Sequence, residues 1–319
     1  MTTLTMRSYV GERDIQAIAA LIQDCEAVDR LEEVISTTQL QQEINQPSVD
    51  RDRDIRLWCD SNAALIGFGQ LFIPPSGDIL DGTLWFRVHP RARGGDLEEQ
   101  IVAWGEKRMR EVSRERGVGV KLRSGTRDTD RTRLALLERL GYVRDRYFFR
   151  MARSLADPIP EPQLPTGYTL RSGTQGEHPH AWVEMFNQSF IDHWGFYELT
   201  IERVQHELKD PYYNPEFDRV AIAPDGTFAS FCDCYINPEQ NQQSGRNEGW
   251  LVVLGTRRGF RKQGLASALI LDALHRLKAA GVDRALLAVD AENTTGALHL
   301  YESLGFRKVY VKTTLVKEL

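Results

Sequence analysis

Between residues 265 and 277 apolar side chains recur at Leu265, Leu269, Leu274 and Leu277, the spacing of a helix with one buried face. Gly281 is a C-terminal stop for it. Ahead of this helix, "GWLVVLGT" (249–256) is an apolar, β-branched run that predicts a buried strand. "RVAIAPDGTFASFCDCYI" (219–236) holds two strand-like runs around Asp225-Gly226, a hairpin signal because the tight turn needs a left-handed residue. "AWVEMFNQSF" (181–190) has helical spacing. Downstream, "RALLAVD" (284–290) reads as a strand, "TTGALHLYESLG" as a short helix ended by Gly305, and "FRKVYVKTTLVKEL" as closing strands. Helix, hairpin, strand, loop, helix, strand, helix, strand predicts the α/β class, a mixed sheet with helices on its faces.

The pattern occurs twice. "LALLERLGYVRD" and "LHLYESLGFRKV" place Gly141 and Gly305 164 residues apart, and "MRSYVGERDIQAI" from Met6 and "LRSGTQGEHPHAW" from Leu170 keep the same offset. In the first copy "GEKRMREVSRERG" is the long helix, "VGVKLRS" the strand and "RTRLALLERLG" the short helix. "LADPIPEPQLPTG", with four prolines, disfavours helix and sheet and reads as an extended linker. The expected organisation is a first domain over 1–154, a linker over 155–167 and a second domain of the same fold over 168–319.

Composition narrows the functional classes. A length of 319 residues suits two domains, and 41% hydrophobic residues interrupted by charge leave no membrane span. "MTTLTMRSYVGERDIQ" lacks the apolar stretch of a signal peptide. A net charge of −5 excludes the overall electrostatic footprint of a nucleic-acid binder. Cys25, Cys59, Cys232 and Cys234 do not form a disulfide framework, and no His/Cys cluster supports the Cys232/Cys234 pair as a metal site. These features predict a cytoplasmic protein with no metal. A tandem pair can bury against itself what separate domains bury as a dimer, so a monomer or weak homodimer is expected.

The candidate chemistry lies in "GFRKQGLASAL" (259–269), a basic, glycine-containing loop between a strand and a helix start. Unpaired N–H groups and the helix dipole make such a place an anion site. Gly259 and Gly264 have P-loop spacing, but Leu265-Ala266 stand where Lys and Ser/Thr are required. The dinucleotide pattern GxGxxG is absent. The pattern Arg/Gln-x-x-Gly-x-Gly/Ala fits Arg261-Lys262-Gln263-Gly264-Leu265-Ala266. With "NTTGALHLYESLGF" downstream, which supplies Asn293, Ala297, Tyr301, Gly305 and Phe306, residues 168–319 resemble the GNAT superfamily of acyl-CoA-dependent N-acetyltransferases. The spacing from Asn293 to Tyr301 is one residue longer than the commonest form. The duplication further resembles the mycothiol synthase group of tandem acetyltransferases.

The resemblance implies acetyl-CoA as donor cosubstrate and a small amine as acceptor, joined by direct attack in the second domain. It places the pantetheine arm beside Leu254, Gly255 and Thr256, in a slot where "LVVLGT" and "RALLAVD" splay apart. It places the pyrophosphate on the amides of Gln263, Gly264, Leu265, Ala266 and Ser267, near Arg261 and Lys262, with Arg257 or Arg258 as further cations. Tyr301 takes the position of a general acid that protonates the departing thiolate. The strand carboxylate that activates the amine in some members falls at Trp250 here; Glu248, two residues earlier on the same face, is the candidate base. "FNQSFIDHWGFYELT" (186–200), with Phe190, Asp192, His193, Trp194, Phe196 and Tyr197, is either acceptor pocket or core. The first copy reads Arg93-Gly94-Gly95-Asp96-Leu97-Glu98-Glu99 at the loop and Leu137 in place of Tyr301, which predicts a copy that has lost the donor site. A non-catalytic acyl-CoA-binding module is the alternative.

Overall fold

The computed structural model of the chain describes residues 4–32, 35–293 and 295–319; Met1–Thr3 of the N-terminal stretch and Thr294 of the second motif lie outside them. The chain divides into two compact units, residues 1–146 with 312–319, and residues 147–311.

The first unit runs β1 (Thr5–Ser8), α1 (Glu12–Asp29), α2 (Thr37–Ile44), β2 (Ile55–Cys59), β3 (Leu65–Phe72), β4 (Ile79–Val88), α3 (Leu97–Arg116), β5 (Gly119–Arg127), α4 (Arg131–Arg139) and the start of β6 (Val143–Ser154). Strands β1 to β4 pair antiparallel in sequence order, and β4 pairs parallel with β5. The second unit runs β7 (Thr169–Ser172), α5 (Thr174–Glu177), α6 (Pro179–Phe190), α7 (Ile201–Glu207), β8 (Asp218–Ile222), β9 (Phe228–Tyr235), α8 (Pro238–Ser244), β10 (Glu248–Thr256), α9 (Leu265–Ala279), β11 (Arg284–Asp290), α10 (Ala297–Ser303) and β12 (Arg307–Glu318). Strands β7 to β10 pair antiparallel in order, and β10 pairs parallel with β11.

The last strand of each repeat departs from the domain limits expected from the sequence. Phe148–Ser154 of β6 pair with β11 in the second unit, whereas Lys312–Glu318 of β12 pair with β5 in the first. Each sheet is therefore completed by the closing strand of the other copy, and the compact units differ from 1–154 and 168–319 accordingly. The closing segment is one long strand rather than several. Local pattern cannot reveal such an exchange, because strand propensity identifies both segments as strands without naming the strand each pairs with. The proline-rich segment holds no helix or strand, and Ile159 and Leu164 rest on the second unit's core.

Periodicity located the long helix of each copy. In α9, Leu265, Leu269, Leu274 and Leu277 are at most 1% exposed and pack on Ala229, Cys232, Leu251, Ala285 and Leu287. Arg276 and Lys278 in its last turn complement the negative end of the helix dipole. The opposite face of the sheet is covered by α6 and α7, where Trp182, Met185 and Val204 meet Val220, Phe228 and Phe231. Cys232 and Cys234 are buried on the α9 face as free thiols. No helix among the described residues is long and apolar enough to cross a membrane. Sequence pattern missed α5, α7 and α8: each is at most seven residues long, too short to show a period.

Candidate active site

Strand β10 parts from β11 a third of the way along its length. The two pair only over Glu248–Trp250 and Arg284–Leu286, while β10 continues to Thr256 and β11 to Asp290. At the point of parting, β10 carries a bulge between Leu251 and Val253 in its pairing with β9, which leaves Val252 63% exposed. Past Trp250 the side of β10 that faced β11 has no strand partner among the described residues, which leaves the β10 edge at Leu254 available to an extended ligand. Gly255 fits because a Cβ there would run into the Phe231 ring and come within 3.0 Å of the Ser189 Cβ.

The loop after β10 ends at Gly264, whose φ of 85° supplies the left-handed turn into α9. No side chain caps this helix. Ala268 N–H bonds the Gly264 carbonyl at 3.0 Å, but the N–H groups of Gln263 through Ser267 have no acceptor among the described residues. They converge where the dipole is positive, a suitable cradle for a pyrophosphate. Lys262 is exposed, makes no ion pair among the described residues and sits at a φ of 61°. Left-handed backbone costs a lysine about 1–2 kcal/mol.

The arginines are more committed than the motif implied. Arg261 donates from Nε to the Thr256 carbonyl (3.1 Å), from Nη2 to the Ser189 carbonyl (2.9 Å) and from Nη1 to Asp192 (3.1 Å). It is a strut tying the loop to the end of β10 and to α6, rather than a cation free for phosphate. Arg258 also binds Asp192, with Nε at 2.7 Å, and Arg257 binds Glu184 at 3.0 Å. Arg258 and Arg261 together hold the Asp192 carboxyl down at about 2. Gln263 accepts a hydrogen bond from the Tyr168 hydroxyl at 2.9 Å.

Tyr301 is 8% exposed, in edge contact with Phe306. Burial, with Cys232 close by, pushes its phenol far above the ordinary tyrosine value, so it keeps its proton at any physiological pH. Its hydroxyl receives no hydrogen bond among the described residues. A protonated, otherwise unengaged phenol is a proton donor in waiting.

Glu248 is not brought to this site. It stands at the paired end of β10, opposite Arg284, whose Nη1 donates to it at 3.1 Å. Eight residues of strand separate it from Thr256, a rise of about 26 Å. Asn293 closes a local turn, its Oδ1 accepting from the N–H of Thr295 (2.9 Å) and Ala297 (3.4 Å), so its side-chain oxygen supports α10. The aromatics of 186–200 divide: Phe190 packs into the core against Phe186 and Phe231, whereas Trp194 lies 6.0 Å from Phe148 of β6. His193 bonds the neighbouring Trp194 carbonyl at 2.8 Å.

One residue on this side escaped the sequence reading. Asp233 lies between the two cysteines of "FCDC" but points to the α6 face, opposite Val253 beside the bulge. The alternation of the strand was the available signal, since it turns the residue between two core thiols toward the other face.

The first unit provides an internal control, because β4 and β5 also part, pairing only over Ile79–Thr83 and Gly119–Arg123. Its loop keeps the strut: Arg93 donates from Nε to the Val88 carbonyl (3.0 Å) and grips Asp29. Its helix start carries Asp96, Glu98 and Glu99 where the second unit has Gly264, Ala266 and Ser267, and the Glu98 carboxylate accepts from the Gly94 N–H at 3.3 Å. The strand carbonyl matching that of Leu254 is Phe86 O, which accepts from Arg87 (2.9 Å) and Arg133 (3.0 Å). The Arg133 guanidinium lies 3.7 Å from the centre of the Phe86 ring, at the repeat position of Ala297. Leu137, the counterpart of Tyr301, is fully buried, and β4 has no bulge in its pairing with β3.

Comparison with known proteins agrees with this geometry. The acetyltransferase (GNAT) family model matches residues 180–306. The mycothiol acetyltransferase of Thermobispora bispora is 29% identical over 96% of this chain and 97% of its own length. That of Salinispora tropica is 30% identical over 78% of this chain and 76% of its own. Among solved structures, a GCN5-related N-acetyltransferase from Sphaerobacter thermophilus superposes with a TM-score of 0.75 at 26% identity, covering 99% of this chain and 95% of that one. A tandem GNAT protein from the clavulanic acid biosynthesis pathway shares the fold, with a TM-score of 0.73 at 15% identity over 99% of this chain and 98% of its own. The relatives span both copies and the family match covers the slot, the loop and Tyr301, so the chain belongs to the GNAT acetyltransferase family, as a tandem acyltransferase.

Proposed function

We propose that the second unit transfers the acetyl group of acetyl-CoA to the amine of a small acceptor, and that the first unit no longer binds a donor. The observation that carries this reading is a contrast within one chain. The bulged open strand, a helix start free of acids and the buried phenol occur together in the second unit, whereas the first has an unbulged strand whose Phe86 carbonyl is bonded by arginines, acids at Asp96, Glu98 and Glu99, and Leu137.

When bound, acetyl-CoA supplies the activated acyl carbon. The chain's own groups do the remaining work. The amides of residues 263–267 and Lys262 hold the pyrophosphate, charge-assisted contacts of about 1.5–3 kcal/mol each. Leu254 and Thr256 offer the backbone of β10 to the pantetheine arm, and Gly255 keeps the strand close to Phe231. Tyr301 gives its proton to the sulfur as the carbon–sulfur bond breaks. The acceptor enters from the α6 side, under Trp194. Free thiols at all four cysteines suit a reducing compartment such as the cytoplasm. The relatives' name makes a deacetylated mycothiol-type amine the first acceptor to try; polyamines, amino sugars and peptides complete a panel.

The test is acetyl-CoA affinity measured beside thiol release across that panel. Tyr301→Phe should bind acetyl-CoA as the wild type does and lose about 10²–10⁴ in turnover, the range for a general acid. Unchanged turnover would remove Tyr301 from the chemistry. Full donor affinity with no release from any amine would favour the acyl-CoA-binding module instead.

A further inference from the structure

Asp233 is flanked on β9 by groups that leave one of its oxygens without a task. Its cross-strand neighbour is Asp218 of β8, so two carboxyls stand side by side on the α6 face of the sheet. Asp218 takes most of the local donors: the Gln175 N–H at 2.8 Å, the Tyr213 hydroxyl at 3.2 Å and the Thr174 hydroxyl at 3.4 Å. Asp233 receives the Gln175 side-chain amide on Oδ2. Its Oδ1 is buried and has no hydrogen-bond partner among the described residues. A buried carboxyl oxygen left bare costs about 1–3 kcal/mol, which a cationic hydrogen-bond donor placed against it would recover.

Two further facts connect this oxygen to the slot. Asp233 pairs with Val253, next to the bulge where β10 leaves β11. The first unit, whose slot is filled, has lost the pair altogether. By strand register Gln70 stands in the place of Asp233 and Ile55 in that of Asp218. The carboxyls are therefore present in the copy with Tyr301 and the open loop, and absent from the copy without them. Other acids on these elements are engaged: Glu207 by Arg203, Asp290 by the Glu292 N–H, and Glu248, at the far end of β10, by Arg284.

We propose that the Asp218–Asp233 pair is the ammonium site of the acceptor, and that Asp233 Oδ1 takes the amine's proton. This rests on the catalytic reading of the second unit and assigns it an acceptor class: a primary alkylamine arriving as its cation. The proton passes from R–NH3+ to the Asp233 carboxylate. The freed lone pair forms the carbon–nitrogen bond at the thioester carbonyl. As the carbon–sulfur bond breaks, the sulfur gains the Tyr301 proton and the adduct nitrogen loses one, which returns the phenol. Asp233 then releases its proton to solvent. The groups bearing on Asp233 are Asp218 on β8, Cys232 on β9, Glu207 on α7, Gln175 on α5 and Tyr213 in the loop before β8; the neighbouring acids and burial hold its carboxyl well above the usual range. Ionisation thus comes late in pH unless a cation is present to share the site.

The test compares two probe nucleophiles on wild-type and Asp233→Asn protein, with acetyl-CoA as donor. Propylamine is a cation at neutral pH, whereas hydroxylamine is already unprotonated and needs no base. Asp233→Asn should lose about 10²–10⁴ of background-corrected thiol release with propylamine. It should retain release with hydroxylamine and bind acetyl-CoA unchanged. Asp218→Asn, which removes the like charge, should shift the acid limb of the propylamine profile to lower pH. Equal loss with both nucleophiles, or none with propylamine, would overturn the assignment of Asp233. No release from wild-type protein with either nucleophile would instead overturn the catalytic reading beneath it.

Discussion

At the scale of single residues, the site depends on groups placed in environments they would not choose alone. Asp233 is raised by burial and by its acidic neighbours, so folding disfavours its ionised form. For a group raised in the folded state, its contribution is intact below the unfolded value near 3.9 and is lost as pH rises toward the folded value. Asp233→Asn should therefore raise the urea midpoint, more at pH 8 than at pH 5. A lower midpoint at pH 8 would show that the carboxylate is stabilised by an undetected partner. Gly255 is constrained oppositely, by space. Gly255→Ala drives a methyl into Phe231, and overpacking of this kind costs about 1–3 kcal/mol. Denaturant unfolding checks it; unchanged stability would mean that the ring moves freely.

At the scale of elements, one strand–loop–helix unit appears in two chemical states. Arg93 and Arg261 make equivalent anchors, each bonding a carbonyl five residues earlier and an aspartate beyond the first main helix of its copy or at its end. The anchor persists where the donor site does not, so it shapes the loop. Specificity for an anion resides in the helix start just beyond the anchor, which is free of acids before α9 and carries Asp96, Glu98 and Glu99 before α3. Gly264→Glu places an acid at the repeat position of Asp96. It should abolish acetyl-CoA binding in an equilibrium measurement while leaving the chain folded; retained affinity would displace the donor from this loop. The loop before α9 and the helix that carries Tyr301 were legible in the sequence because glycines and apolar spacing mark them locally. Glu248 was misjudged because parity names the face of a strand but not how far along it the slot opens. Trp250 and Glu248 do share a face, yet β10 is still hydrogen-bonded to β11 at both.

At the scale of the whole molecule, the units are not successive stretches of chain. Lys312–Glu318 pair with β5 of the first unit, and Phe148–Ser154 with β11 of the second. Deleting residues 312–319 removes a strand of the first unit and with it the fully buried Leu315. The stability of that unit, read by hydrogen exchange in β5 and α3, should fall well below that of the full chain. Equal protection would show the strand to be dispensable. The fragment 1–154 suffers the same loss and should fold only when a peptide of residues 312–319 is supplied. The sequence alone determined the duplication, the order of elements, the α9 core face, the loop and Tyr301, since periodicity and turn chemistry act over a few residues. Only the tertiary structure decided which closing strand completes which sheet, where β10 leaves β11, that Arg261 is a strut, and that Asp233 stands beside the slot with an oxygen unpaired. Those outcomes depend on pairing and packing between segments far apart in the chain, where local pattern carries no information about partners.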